Sequence, residues 1–287
     1  MFRRSVLVLV ALALVVPTVS AVAAGPPSFS LPDQASEVAP GVFFLGHAVE
    51  DGVVLEGYAY VRYASSDEVG RRANGKPPGT PGNGNGNGGG GGGGGEEPDS
   101  STCYSFISGA KWKTTEGYLI NPANSTIGNN VRVAGTDAAF RVWETEAGIN
   151  IVDSGAETGG DLSADSSSTD GLNEIYFAPI SDPGVLGYTI VWSTRSRGRN
   201  VGQIVEADMV IDDDGDWTWS TDGSAATGEM DFWGVFTHEA GHWVGMGHTK
   251  TSQLCETQTM YPYISDGDST KTDLEDGDIA GVSDLYS

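Results

Sequence analysis

The chain has 287 residues and a formal charge of −24 at pH 7, from 15 Lys and Arg against 39 Asp and Glu. Such acidity argues against nucleic acid as a partner, because phosphate binding needs clustered Lys and Arg, and equally against docking on an anionic membrane. Only 38% of residues are hydrophobic and 42 are glycine, many in one block, so a globular part is joined to something without a core.

Residues 1–23 read as a signal peptide. Arg3 and Arg4 form a basic start, Val6 to Val16 is a short apolar run, and Ala21-Val22-Ala23 is a small-x-small cleavage site. The run is shorter than the roughly 20 residues that a spanning helix needs. The chain is therefore expected to be secreted, with no membrane association after signal cleavage, by the general secretory or the twin-arginine route.

A small segment follows at 24–75. Val42 to Leu45 and Val53 to Tyr63 predict strands, although Val54, Gly57, Ala59, Val61 and Tyr63 do not alternate regularly. Roughly 50 residues is marginal for independent folding. A pro-segment, a small β module and an attachment piece all fit. Residues 76–100, with Pro-Pro-Gly, Asn-Gly repeats and a glycine run, predict a flexible linker.

The main domain is expected at 101–287. Tyr118 to Ile120 predicts a strand. Val131 to Ala147 predicts a helix with Ala139, Phe140, Trp143 and Ala147 on one face, closed by Gly148. Ile149 to Val152, Glu174 to Phe177 and Tyr188 to Trp192 predict further strands. Alternation of Val205, Ala207, Met209 and Ile211 with Glu206, Asp208 and Val210 predicts a half-buried one. This order implies an α+β domain, a mixed sheet with helices packed on it.

Two cysteines, Cys103 and Cys255, form an even pair, which in an exported chain suggests a disulfide. If formed, it ties the start of the main domain to a point near its end. Asn124-Ser125-Thr126 is an N-glycosylation sequon.

Three of the four histidines fall in His238-Glu239-Ala240-Gly241-His242-Trp243-Val244-Gly245-Met246-Gly247-His248. On a helix, positions i and i+4 share a face, so His238 and His242 can present two imidazoles to one ion. Glu239 is rotated off that pair by about 100° and would sit near a metal-bound water. Gly245 can end the helix and turn the chain so that His248 reaches the same ion. Three nitrogen ligands leave a fourth tetrahedral position open, as a catalytic Zn2+ site requires. His47, alone in the N-terminal segment, reads as an ordinary surface or core histidine.

This stretch resembles the HExxHxxGxxH signature of the metzincin zinc peptidases, and Thr259-Met260-Tyr261-Pro262 looks like their Met-turn in its matrixin form. Lys111-Trp112, the stretch from Ala139 to Glu144 and the closing residues 274–286 are also matrixin-like. The resemblance covers about 105–287 and is to the short archaeal and bacterial type without a haemopexin domain. It implies a twisted mixed sheet with two long helices above it and a small C-terminal subdomain with a last helix. It also implies a monomeric Zn2+ endopeptidase acting on a peptide or protein substrate, with Glu239 as general base and Met260 as a floor beneath the imidazoles. Pro262 and Tyr263 become substrate-pocket candidates, although Ile264 stands where the family has Tyr. No Pro-Arg-Cys-Gly motif is present, so a thiol latency switch does not carry over, and Cys103 is better assigned to a disulfide with Cys255.

Matrixins bind structural Ca2+, so Asp212, Asp214 and Asp216 are candidate Ca2+ ligands, with an acidic turn as the alternative. Glu275, Asp276 and Asp278 read as helix N-terminal charges. The rival functional reading is an extracellular binding or surface-attachment protein with restricted or self-processing peptidase activity.

Overall fold

The computed structural model describes residues 29–65, 99–122, 125, 127, 131, 133–195 and 202–287. The predicted signal peptide, the predicted linker up to residue 98, and Asn124 and Thr126 of the predicted sequon lie outside them. The strands are β1 (Ser36–Ala39), β2 (Val42–Glu50), β3 (Val53–Ala64), β4 (Ser105–Phe106), β5 (Ala110–Lys111), β6 (Leu119–Ile120) and β7 (Ala156–Glu157). They continue with β8 (Glu174–Ala178), β9 (Val185–Thr194), β10 (Gly202–Asp212), β11 (Trp219–Ser220), β12 (Met230–Asp231), β13 (Met246–Gly247) and β14 (Tyr263–Ile264). Three α-helices are described: α1 (Val133–Ala147), α2 (Phe232–Trp243) and α3 (Asp276–Tyr286).

The main sheet runs β1-β2-β3-β9-β10-β8-β6-β7, with β14 added to β3 and β5 to β10. Strands β10, β8, β6 and β7 are mutually parallel, whereas β9 is antiparallel to both β10 and β3. Helices lie on one face, which gives the expected α+β architecture.

The N-terminal segment is part of this sheet rather than a separate module. A two-residue Asp51-Gly52 turn, both at positive φ, joins β2 to β3 and suits the right-handed twist of a hairpin. β3 then pairs with β9 from Leu55↔Thr194 to Tyr63↔Val185. The irregular alternation read in β3 has a physical cause, because from Leu55 onward nearly every residue is buried.

Two cores sandwich the sheet. Ala207, Met209 and Ile211 of β10 pack with Trp143, Phe236 and Trp243 of the helices. Tyr176, Tyr188, Trp192 and Val210 pack on the other face with Leu55, Ala59 and Val61 of β3. The predicted half-buried character of β10 is corrected here. Glu206 and Asp208 are almost fully buried, because loop 158–173 covers them. Glu206 accepts from the Asp170 and Gly171 amides, and Asp208 accepts from those of Asp165 and Glu174. The strand predicted at Ile149 to Val152 reduces to a single bridge between Val152 and Glu116.

Helix α1 buries Thr136, Ala139, Phe140 and Trp143, and Gly148 follows it at φ 68°. Helix α2 is capped by Asp231, whose carboxylate accepts from Trp233 N and Gly234 N. Nearly every residue of α2 is buried, as a helix between sheet and neighbouring helices must be.

Candidate metal centre

Helix α2 sets His238 and His242 one turn apart with both rings fully buried. Gly245 ends it at φ 108°, where a Cβ would lie 2.8 Å from the Ala110 carbonyl oxygen, so only glycine fits the turn. The chain reverses there and returns His248. Its Nε2 lies 3.2 Å from that of His238, which is 3.1 Å from that of His242.

Each Nδ1 faces a backbone carbonyl: His238 that of Thr259 at 2.6 Å, His242 that of Met246 at 2.8 Å, and His248 that of Pro40 at 3.2 Å. With Nδ1–H donated in each ring, the three Nε2 lone pairs converge on one point. Zn–N bonds of about 2.0–2.1 Å in tetrahedral geometry separate neighbouring nitrogens by about 3.3 Å, so the donor set fits a zinc ion. Burial holds all three rings neutral, with His248 pushed down to about 3.

Glu239 is fully buried beside this cluster. Its Oε2 accepts from the Thr189 hydroxyl of β9 at 2.6 Å, and its Oε1 has no hydrogen-bond partner. Desolvation pushes its carboxyl up to about 8, against the opposing effects of the Thr189 hydrogen bond and the Arg62 charge.

Met260 is buried against α2. A Cβ on Gly241 would lie 2.3 Å from the Met260 sulfur, so the small residue inside the histidine motif makes room for the Met-turn. The turn itself is held by Asp278, whose carboxylate accepts from Thr259 N at 2.7 Å and Met260 N at 3.1 Å. Asp278 is thus more than a helix-end charge. It is the residue at the third helical position in a capping box with Glu275, and it carries the turn whose Thr259 oxygen orients His238.

Pro262 and Tyr263, the substrate-pocket candidates, lie against the end of β3, where the Pro262 carbonyl accepts from Tyr63 N. β14 runs parallel to the end of β3, and Tyr263 stacks on Tyr63 with centroids 6.0 Å apart. Cys103 and Cys255 are bridged. The candidate Ca2+ ligands are not brought together. Asp212 accepts from Ile180 N and Asp214 N, and Asp214 accepts from Asp216 N, as in an acidic turn that satisfies its own amides. The carboxylates that do approach one another, within 4.8 Å, are those of Asp165, Asp170 and Glu206.

Thr189, Pro40 and Arg62 were not identified in the sequence, and Asp278 was read there only as a helix-end charge. Each reaches the site from a distant part of the chain, and no local spacing marks them. His47 is exposed, near Glu56, and takes no part.

Residues 111–287 match the family described as matrixin, a peptidase family. The chain is also similar to human matrilysin, with 37% identity over 94 residues, 33% of this chain and 32% of that protein. It therefore spans about a third of the length of that curated relative.

Proposed function

Because the chain belongs to the matrixin family, we propose that it is an exported zinc-dependent endopeptidase acting on peptide or protein substrates. The observation that carries this reading is the convergence of three buried Nε2 atoms beside a carboxylate with one unpartnered oxygen. His238, His242 and His248 would hold the metal. Zinc, when bound, polarises a carbonyl and brings the pKa of water to about 7.

The remaining work falls to the chain's own residues. The Thr189 hydroxyl fixes one oxygen of Glu239, leaving Oε1 to take the proton of the attacking water and deliver it to the leaving amine. A substrate peptide would take the place that β3 holds between strands β9 and β14, using their main-chain donors and acceptors, with Pro262 and Tyr263 against its side chains. Met260, packed against Gly241 of α2, would form the floor beneath the rings. Export is supported by the leader pattern and by the Cys103–Cys255 bridge, which belongs to oxidising compartments. Among the described residues, no helix is long and apolar enough to cross a membrane.

Glu239→Gln tests the reading. The zinc-loaded variant should retain its metal and fold, while hydrolysis of any peptide bond, in its own chain or in an added unfolded protein, falls by on the order of 10²–10⁴. Zinc-loaded parent protein that hydrolyses neither would sink the proposal.

A further inference from the structure

β3 lies in the slot where the proposed function puts a substrate. Along one edge it pairs with β9. Along the other it passes from β2 to β14, and Val61 N donates to the Gly41 carbonyl at the crossing. Beyond Arg62 the ladder is made of Tyr63 N to Pro262 O at 3.1 Å, Ala64 N to Gly184 O at 2.8 Å and Ser65 N to Ile264 O at 2.7 Å. An extended strand held on both edges by main-chain bonds, with alternate side chains in pockets, is how a peptide is bound by strand addition.

The side chains fix which part of β3 crosses the histidines. Tyr60 stacks on His242 with centroids 4.5 Å apart and stands edge-on to His248. Arg62 is fully buried, with Nη1 3.0 Å from His238 Nδ1. Successive strand residues point to opposite faces, so the backbone at Val61 spans the cluster between these two side chains. The Val61 carbonyl oxygen and His248 Cε1 both flank Gly41, where a Cβ would meet them at 3.0 and 3.1 Å. Arg62 pairs with Gly187, and a Cβ on Gly187 would lie 3.1 Å from Glu239 Oε1. The carboxylate oxygen without a partner is thus next to the residue that would leave as the amine. Val61 N, in contrast, is already committed to Gly41, which disfavours the preceding bond.

We propose that the chain is its own first substrate and that the bond cut is Val61–Arg62. This rests on the endopeptidase reading above. Water adds across the amide: its oxygen forms the new Val61 carboxyl, one proton passes through Glu239 to the Arg62 nitrogen, and the C–N bond breaks. Until that happens β3 fills the slot and excludes other peptides. The guanidinium is a poor permanent guest, since Nε and Nη2 of Arg62 are buried without hydrogen-bond partners. The cut places the new amine on the linker side, so Arg62 to Ser65 are then held to β9 and β14 by only the short ladder beyond the break.

The test uses the full chain, purified as Glu239→Gln and as parent, both loaded with zinc and incubated at neutral pH with an added unfolded protein. Mass mapping should find a fragment beginning at Arg62 in the parent and none in the variant. Its first-order rate constant should be unchanged over a tenfold range of protein concentration, because the bond is presented within one molecule. A parent that degrades the added protein, or cuts itself elsewhere, while Val61–Arg62 stays intact would overturn the inference and leave the endopeptidase reading standing. A rate proportional to concentration would also overturn it. Hydrolysis of nothing at all, with zinc bound, would remove both.

Discussion

Helix α2 and the hairpin β2–β3 meet at the same three histidines, yet they arise from opposite kinds of sequence information. In α2 the partners are four residues apart, and helix period alone brings His238 and His242 together. In the hairpin and the turn that leads into it the partners are far away: Arg62 reaches His238 across 176 positions, and Pro40 reaches His248 across 208. The three candidate metal ligands are therefore read from one short window. The strand that covers them needs the whole sheet to be assembled first. The difference also separates two jobs, since α2 builds a site and the hairpin governs access to it.

The largest expected effect breaks the locally encoded half. His242→Ala removes one of three donors, so metal content of the purified protein should fall from about one equivalent to near zero, and hydrolysis with it. Elemental analysis checks this. Full zinc retention would mean that the ion sits elsewhere.

A smaller effect tests the distant support of that same half. Asp278→Ala strips acceptors from the buried Thr259 and Met260 amides. Leaving them unsatisfied should cost about 2–3 kcal/mol in denaturant unfolding. A change within experimental error would remove Asp278 from the architecture of the turn.

The hairpin can be weakened without touching the histidines. Gly57→Ala would place a Cβ 2.6 Å from the rigid, buried ring of Trp192, an overpacking worth about 1–3 kcal/mol. Faster hydrogen exchange in β9 and trypsin cleavage after Arg62 are the expected readouts. Unchanged protection would mean that the hairpin is gripped elsewhere.

The smallest effect lies on the opposite face. Burial pushes Glu206 up to about 7 from an ordinary 4.5. The folded protein therefore keeps a proton that the unfolded chain releases, and Glu206 lowers stability progressively as pH rises from 4.5 to 7. Glu206→Gln should stabilise by about 1 kcal/mol at pH 8, after allowance for solvent screening, and by nothing below pH 4.5. Thermal unfolding at the two pH values measures it, and an equal shift at both would assign the effect to packing.

The amino-acid sequence by itself determined the histidine triad, the neighbouring Glu239, the glycine that turns the chain at residue 245, helix α1 and the long strands of the main domain. Those features rest on contacts within a few residues, where periodicity and backbone freedom are sufficient causes. It left the segment before the linker open among three readings, and it read β10 as half exposed. Only the tertiary structure decided that β3 joins β9, that Thr189 holds Glu239, that Asp278 carries the Met-turn and that a loop buries Glu206. Strand pairing and buried carboxylates take their partners from distant segments. Any apolar strand is chemically able to extend a sheet edge, so the choice of β3 is made by the packing of Leu55, Ala59 and Val61 against Tyr188 and Trp192, which no stretch of sequence contains.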